Sequence, residues 1–148
     1  MRVADDNTSG ARATWVEGMQ FVATGEKSGG TFVMDGASEF GGASNSVRPL
    51  EALLGSLAGC SGMDIISILK KKRQRVTGLH INLRGIKAEE YPQRLVRIEV
   101  EYVVRGWDIA PEAVARALDL SMGKYCSVRG SLNSEVVYTY RIEAEPAG

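Results

Sequence analysis

Cysteine and histidine, the usual zinc ligands, are scarce in this sequence. Its 148 residues include only two cysteines, Cys60 and Cys126, and one histidine, His80. Zinc sites of the usual kind need more cysteine and histidine ligands than these. The composition therefore excludes such a site within one chain, and His80 is expected to be a solvated or core residue.

Neither sign of charge is in excess, because 18 Lys and Arg balance 18 Asp and Glu. A neutral chain has no overall field that would draw it to nucleic acid or to a membrane surface. The basic run at residues 70–73 is not continued by a basic stripe elsewhere. We therefore expect no nucleic-acid or membrane partner, and a small or neutral ligand.

The first ten residues, MRVADDNTSG, lack the apolar segment of a secretion signal. We expect a cytoplasmic protein, in which two cysteines are more often reduced, catalytic or redox-sensing than permanently bridged. Residues 1–10 are predicted to form a disordered tail, since they offer little to bury. Residues 11–148 are predicted to form a single domain, for which a hydrophobic content of 44% provides a core.

Long apolar runs are limited to one stretch, residues 49–74, PLEALLGSLAGCSGMDIISILKKKRQ. Apolar side chains cover nearly every face of a helix of roughly 20 residues and about 30 Å, which predicts burial on all sides. This length also matches a bilayer, but Glu51 and Asp64 interrupt the run. We expect a central helix enclosed by sheets or by a second copy of the chain, ending at residues 70–73.

Strand patterns surround this helix, and the clearest is the apolar–polar alternation of residues 96–105. The dipeptide Glu-Gly at residues 17–18 predicts a two-residue hairpin turn. The predicted order is β-β-β-α-β-β-α-β, an α+β fold. Its strands cover residues 12–16, 19–23, 31–35, 79–86, 96–105 and 136–143, and its helices cover residues 50–69 and 108–128.

Two interpretations of the cysteines stand side by side. A cysteine on a buried helix often acts only as a small apolar side chain. However, both cysteines lie on predicted apolar helices that must pack together, so their Cα atoms could approach within the roughly 4.4–6.8 Å of a disulfide. Gly59, Ser61 and Gly62 flank Cys60 with small side chains that leave space for a substrate.

A reactive Cys60 needs a neighbouring cation, because a thiolate in the middle of a helix lies far from the favourable end of the helix dipole. Arg48 and Arg12 are the candidates, and solvated surface positions are the alternative for both. Asp64, four residues after Cys60, shares its helix face. Glu51 is either a site carboxylate or a charge at the helix N-terminus.

Two regions carry a family resemblance. The first is RPLEALL at residues 48–54, continued by AGCSGMD at 58–64 and IISILKK at 65–71. The second is AVARA at 113–117, with LS at 120–121 and KYCSV at 124–128. Together they resemble the OsmC/Ohr family of thiol-dependent peroxidases, and are closest to its YhfA-like branch. The resemblance covers nearly the whole chain after residue 10.

This resemblance implies an intertwined homodimer, in which sheets of both chains wrap two long buried helices and the active sites lie at the interface. Cys60 would attack the O–O bond of an organic hydroperoxide and become a sulfenic acid. Cys126 would resolve it as a disulfide, which an external dithiol reduces. No metal or organic cofactor is implied. An apolar lining would favour bulky organic hydroperoxides; it comprises Leu53, Leu57, Met63 and Tyr125.

The sequence departs from the family pattern at two places. In the best characterised members a glutamate directly follows the proline, whereas here Leu50 takes that place and the carboxylate is Glu51. The family's arginine in the N-terminal strands has no clear counterpart, so Arg48 or Arg12 is the candidate cation. Asp64 is the candidate acid. The predicted site therefore comprises Cys60, Cys126, Glu51, Arg48 and Asp64.

Two other functions fit the same pattern. A non-peroxidatic family member would bind a small apolar or electrophilic molecule in the interfacial cavity, or would sense redox state through the cysteine pair. A dimeric domain with inert buried thiols is the third interpretation.

Overall fold

The structure is a computed structural model that describes residues 7–147. The chain forms two compact units, Met1–Leu53 and Leu54–Gly148, which meet in sequence within the long helix. Of the predicted tail, residues 1–6 lie outside the described residues, and residues 7–9 are exposed. A mixed α+β fold with two sheets is confirmed, whereas the single domain over residues 11–148 stays a prediction.

The first unit contains a three-stranded antiparallel meander in the order β1-β2-β3. The predicted two-residue hairpin is wrong: the connection covers residues 16–20, where the Val16 N–H donates to Gln20 O at 2.9 Å. Gly18 takes a left-handed φ of 53° within this longer turn, a conformation that favours glycine. The elements are β1 (Ala11–Trp15), β2 (Phe21–Gly25), β3 (Thr31–Met34) and a 3₁₀ turn (Ser38–Phe40).

One face of this sheet carries large aromatic side chains. Trp15 pairs with Phe21 across β1 and β2, and Ala23 pairs with Phe32 across β2 and β3, which places all four on one face. Trp15 is 62% exposed and Phe32 is 50% exposed in the single chain. Apolar surfaces of this kind mark sites of association.

The long helix, α1 (Pro49–Lys71), begins and ends with defined backbone contacts. Pro49 occupies its first position, where a missing N–H costs nothing. After its end, Arg73 adopts a left-handed φ of 58° while its N–H donates to Lys70 O at 2.9 Å. The Gln74 N–H donates to Leu69 O at 2.9 Å, which completes a Schellman motif. The predicted helix is confirmed.

In the single chain, α1 is buried along one stripe rather than on all sides, and its cover by a second copy of the chain stays a prediction. The buried residues of α1 form a stripe of Leu57, Ile65 and Leu69 with Ser61 and Gly62 between them. Met63, on another face, is 75% exposed. The helix is long and apolar enough to cross a membrane by length and composition, a test that core helices of soluble proteins also pass. Part of the apolar surface of α1 in the second unit is therefore exposed.

The second unit contains a three-stranded sheet in the order β4-β5-β6. β4 and β5 pair antiparallel, whereas β5 and β6 pair parallel. The predicted alternation of β5 is confirmed, because Ile98, Val100, Tyr102 and Val104 are all buried. A parallel pair needs a crossover, which a helix between the strands supplies. The elements are β4 (Arg75–Lys87), β5 (Leu95–Trp107), α2 (Pro111–Leu120) and β6 (Glu135–Ala144).

The predicted second helix over residues 108–128 is wrong as one continuous element. After α2 the chain widens into a π-helical turn, Ser121–Tyr125, and then forms the short helix α3, Ser127–Gly130. Cys126 lies between them in an extended conformation, with φ −73° and ψ 105°. Gly123 favours this break because glycine is a poor helix former. The break places Cys126 in a linker rather than in a last helical turn.

Candidate active site

The structure brings the two cysteines together within the second unit. Cys60 lies on α1 and is partly exposed, whereas Cys126 follows the π-helical turn and is buried. Both are free thiols. Their side chains are neighbours, and the Cys60 side chain raises the pKa of the Cys126 thiol. The fold thus joins two thiols that are far apart in sequence.

The surroundings of Cys126 disfavour its thiolate. Burial raises the pKa of the Cys126 thiol, and the neighbouring Cys60 raises it further. The backbone N–H of Arg129, which donates to Cys126 Sγ at 3.4 Å, opposes this rise. Of the two sulfurs, Cys60 is the more exposed.

Asp64 connects α1 to the segment that carries Cys126. Its carboxylate Oδ2 accepts a hydrogen bond of 2.8 Å from Ser121 Oγ at the start of the π-helical turn. Ser121 is fully buried, and its backbone oxygen accepts from the Cys126 N–H at 2.8 Å. Sequence patterns placed Asp64 on the Cys60 face but gave no sign of its partner Ser121.

A second polar contact beside the thiols was missed at the sequence level. The Tyr102 hydroxyl on β5 donates to Ser61 Oγ at 2.7 Å, and Ser61 Oγ donates to Leu57 O at 2.8 Å. Burial raises the pKa of Tyr102 to about 12, although the hydrogen bond to Ser61 acts in the opposite direction. The only available signal was a tyrosine within a buried alternation, since a buried tyrosine hydroxyl usually finds a partner.

An arginine beside Cys60 was expected as the cation. In the described part of the second unit, the arginine side chains that form hydrogen bonds donate to carbonyls, carboxylates or an asparagine. Arg129, for example, donates Nη1 to Leu132 O at 3.3 Å. Arg12 and Arg48 belong to the first unit, where both are exposed. Their role as the cation stays a prediction.

Glu51 has a clear structural role at the start of α1. Its Oε1 accepts from the Arg48 N–H at 2.8 Å, while Arg48 O accepts from the Ala52 N–H at 2.9 Å. Glu51 is the third residue of the helix, so this is the glutamate half of a capping box. The contact explains a carboxylate at this position without any chemistry, and its catalytic role stays a prediction.

This cap predicts a stability difference between two replacements of Glu51. We expect Glu51→Ala to lower the free energy of unfolding by about 1 kcal/mol, and Glu51→Gln to keep most of the stability, because its amide oxygen still accepts from Arg48. Urea unfolding measures both. Glu112→Ala is the matched control, since Glu112 lies in the first turn of α2, whose N-cap residue makes no side-chain cap bond. Equal losses for the two Glu51 variants would contradict the capping role.

Two grooves lie along α1. One encloses about 680 Å³ and is mainly apolar, with Gly59 and Met63 on α1 facing Leu79 and Ile81 on β4. A side chain at Gly59 would meet nothing within 4 Å, so the predicted space beside Cys60 exists there. The other groove encloses about 540 Å³, with Tyr125 among its lining residues.

Gly62 does not provide the predicted space. A Cβ at this position would lie 3.0 Å from Ile81 Cδ1, so the glycine allows α1 to pack closely against β4. Leu57 and Ser61 are likewise fully buried within the core. Among the residues that the structure describes, no group of three or more His, Cys, Asp and Glu side chains could hold a metal ion.

Comparison with known proteins identifies the family. Residues 41–141 match the family described as OsmC-like protein. The chain belongs to the OsmC family. This OsmC-like chain is 39% identical over 137 residues to Protein YhfA of Escherichia coli strain K12, covering 93% of this chain and 98% of that protein. The resemblance inferred from the cysteine regions, including its YhfA-like branch, is thereby confirmed.

Solved structures share the OsmC-like fold. A hypothetical protein from Aquifex aeolicus VF5 superposes with a TM-score of 0.81 at 27% identity, covering 95% of this chain and 99% of that chain. An organic hydroperoxide resistance protein OsmC from Legionella pneumophila superposes with a TM-score of 0.62, covering 91% of this chain and 96% of that chain. Its identity of 11% is low, so this similarity shows the fold alone.

Proposed function

We propose that this OsmC-like chain is a thiol-dependent peroxidase that reduces organic hydroperoxides in defence against oxidative stress. The observation that carries the proposal is the contact between a partly exposed Cys60 and a buried Cys126, whose pKa is raised by burial. A dithiol peroxidase needs two different sulfurs, because one must react with peroxide as a thiolate and the other must later close the disulfide.

The cycle has three balanced steps. The Cys60 thiolate attacks the terminal oxygen of the hydroperoxide, the O–O bond breaks, and the released alkoxide takes a proton to become an alcohol. Cys126 then loses its proton and attacks the Cys60 sulfur; the S–S bond forms, the S–O bond breaks, and the hydroxyl group leaves as water. An external dithiol reduces the disulfide by exchange and becomes oxidised itself.

Both relatives and local shape support an organic substrate. The Legionella relative is described as an organic hydroperoxide resistance protein, and we propose the same substrate class for this chain. The apolar groove of about 680 Å³ adjoins the helix turn of Cys60 through Gly59 and Met63. An apolar wall stabilises a bound peroxide that carries a hydrocarbon substituent, whereas hydrogen peroxide has no apolar group for the wall to contact.

We further propose a homodimer in the cytoplasm. Exposed apolar side chains occur in both units, including Trp15 and Phe32 on the first sheet and Met63 on α1. A second copy of the chain would remove these surfaces from water, as the family resemblance implies. Arg48 or Arg12 would then be the cation of the interfacial site, and Glu51 and Asp64 its candidate carboxylates.

Peroxide selectivity tests the proposed activity. With a dithiol reductant in excess, we expect wild-type protein to consume cumene hydroperoxide at least about tenfold faster, in kcat/KM, than hydrogen peroxide, because burying a phenyl-sized group is worth more than about 1.4 kcal/mol. Oxidation of the dithiol, followed spectroscopically, measures both rates. No consumption of either peroxide above the protein-free rate would refute the proposal.

The apolar groove also favours a second candidate function, reversible binding of a small apolar or electrophilic molecule without turnover. A mainly apolar wall beside a partly exposed thiol suits such a ligand. The same experiment separates the two candidates. A ligand-binding protein would leave the peroxide unchanged, yet an apolar fluorescent probe would bind and be displaced by a thiol-reactive electrophile.

A further inference from the structure

We propose that Asp64 and Ser121 are positioning residues, which hold the Cys126 segment in bridging range of Cys60 and so set the rate at which the disulfide closes. The inference deepens the proposed function, which supplies the peroxide as oxidant, but closure itself is a property of the thiol pair. Neither residue touches the reacting oxygen in this role.

The geometry forms a short chain of contacts from one cysteine to the other. Asp64 lies one helical turn after Cys60 on α1 and accepts the 2.8 Å hydrogen bond from Ser121 Oγ. The backbone oxygen of the same Ser121 accepts the Cys126 N–H at 2.8 Å. One buried residue therefore connects the helix that carries the first thiol to the backbone of the second.

Other parts of the π-helical turn offer little to replace this attachment. Gly123, Lys124 and Tyr125 are exposed, and a side chain added at Gly123 would meet nothing within 4 Å. By contrast, Ser121 is fully buried and Cys126 is only 5% exposed. The turn is thus fixed at its two ends and open between them. π-Helical turns of this kind often occur at functional sites.

Disulfide closure is sensitive to small displacements. The two Cβ atoms must come within about 3.5–4.5 Å with a restricted torsion about the S–S bond. Holding the attacking sulfur in that range converts the resolving step into a favourable intramolecular reaction. Without its partner, the buried Ser121 hydroxyl would lose its hydrogen bond, and the segment would sample positions in which Cys126 cannot reach Cys60.

Oxidised glutathione tests this inference without any peroxide. Cys60 first exchanges with the glutathione disulfide and releases one glutathione thiolate; Cys126 then attacks the Cys60–glutathione bond and releases the second. Rapid acid quenching and mass spectrometry of the intact chain measure the two steps separately. The Cys126→Ser variant stops after the first step and calibrates its rate.

We expect Ser121→Ala and Asp64→Ala each to slow closure about tenfold, the rate equivalent of about 1.4 kcal/mol, and Ser121→Ala to leave the first exchange at its wild-type rate. Asp64→Asn should restore most of the rate, because its amide oxygen still accepts from Ser121. The double variant should be no slower than either single one. Ser131→Ala is the matched control, since it lies five residues after Cys126 and its hydroxyl donates to Ser127 O at 2.8 Å.

Three results would overturn the inference. Closure at the wild-type rate in Ser121→Ala would show that the hydrogen bond does not position Cys126. Equal slowing by Ser131→Ala would assign the effect to general loosening of the segment. Slowing by Asp64→Asn as large as that by Asp64→Ala would assign it to charge. If wild-type protein closes the disulfide with oxidised glutathione but consumes no peroxide, the proposed peroxidase fails while this inference stands.

Discussion

Replacing Cys60 by serine is expected to reduce the consumption of cumene hydroperoxide to the rate of the protein-free mixture of peroxide and dithiol. A serine hydroxyl stays protonated where a cysteine forms a thiolate, and the thiolate is the nucleophile of the proposed first step. No other sulfur can replace it, because Cys126 is buried and its pKa is raised by that burial. The expected loss is at least about a thousandfold, on the scale seen when a nucleophile is removed.

The control for this variant is its fold. Cys60 is only partly exposed, and serine is close to cysteine in size, so thermal unfolding of Cys60→Ser should match that of the wild type within a few degrees. Cys60→Ala serves as a second replacement without a hydroxyl. Wild-type turnover in either folded variant would remove Cys60 from the chemistry and with it the proposed cycle.

Replacing Cys126 by serine should separate the first step from the second. Without reductant, this variant should consume one equivalent of peroxide per chain at the wild-type rate and then stop, because the sulfenic acid at Cys60 has no thiol partner. The intact mass should increase by one oxygen atom, and a 1,3-dione that reacts with sulfenic acids should trap the product. A folded variant that consumes no peroxide, or that gains no oxygen atom, would contradict the assignment of the first step to Cys60.

In wild-type protein the resolving step should depend on pH. Burial raises the pKa of Cys126, so below that raised pKa only a small fraction of its thiol is ionised. This fraction, and with it the rate of closure, increases about tenfold per pH unit as pH rises and levels off above the raised pKa. Stopped-flow measurements of closure with excess peroxide give this profile. A closure rate that stays constant across neutral and mildly alkaline pH would show that ionisation of Cys126 does not control the resolving step.

Periodic patterns in the sequence predicted the parts of the fold that local residues determine. The alternation of β5 is clear up to Tyr102, and its buried face follows the pattern through Ile98, Val100 and Tyr102, whereas Val103 is also buried. The long helix α1 could be predicted equally well, because Pro49 suits its first position and an apolar run fills it. What the pattern could not give is which apolar face of α1 its own chain covers, since this depends on tertiary packing.

The second helix shows where local patterns fail. Its apolar spacing continues through Met122, but the hydrogen bond from Ser121 to Asp64 and the glycine at position 123 accompany a π-helical turn. One extra residue in a helical turn changes the spacing of the apolar residues too little to be recognised in the sequence. The consequence is large, because it moves Cys126 from a helix to an extended linker beside Cys60.

Among the candidate site residues, the cysteines could be predicted and their supporting contacts could not. The meeting of Cys60 and Cys126 follows from two apolar segments in a small unit. The pairs Ser61–Tyr102 and Asp64–Ser121 join residues 41 and 57 positions apart, so only the fold reveals them. For Glu51, sequence reasoning left a site role and a helix-terminal role open, and the hydrogen bond that it accepts from the Arg48 N–H supports the second.

The most direct test is the intact mass of reduced wild-type protein after reaction with one equivalent of cumene hydroperoxide and no reductant. The proposed cycle predicts a loss of two hydrogen atoms per chain, and digestion should then give one peptide pair joined through Cys60 and Cys126. Protein whose two cysteines both remain free and unoxidised while the peroxide persists would contradict it.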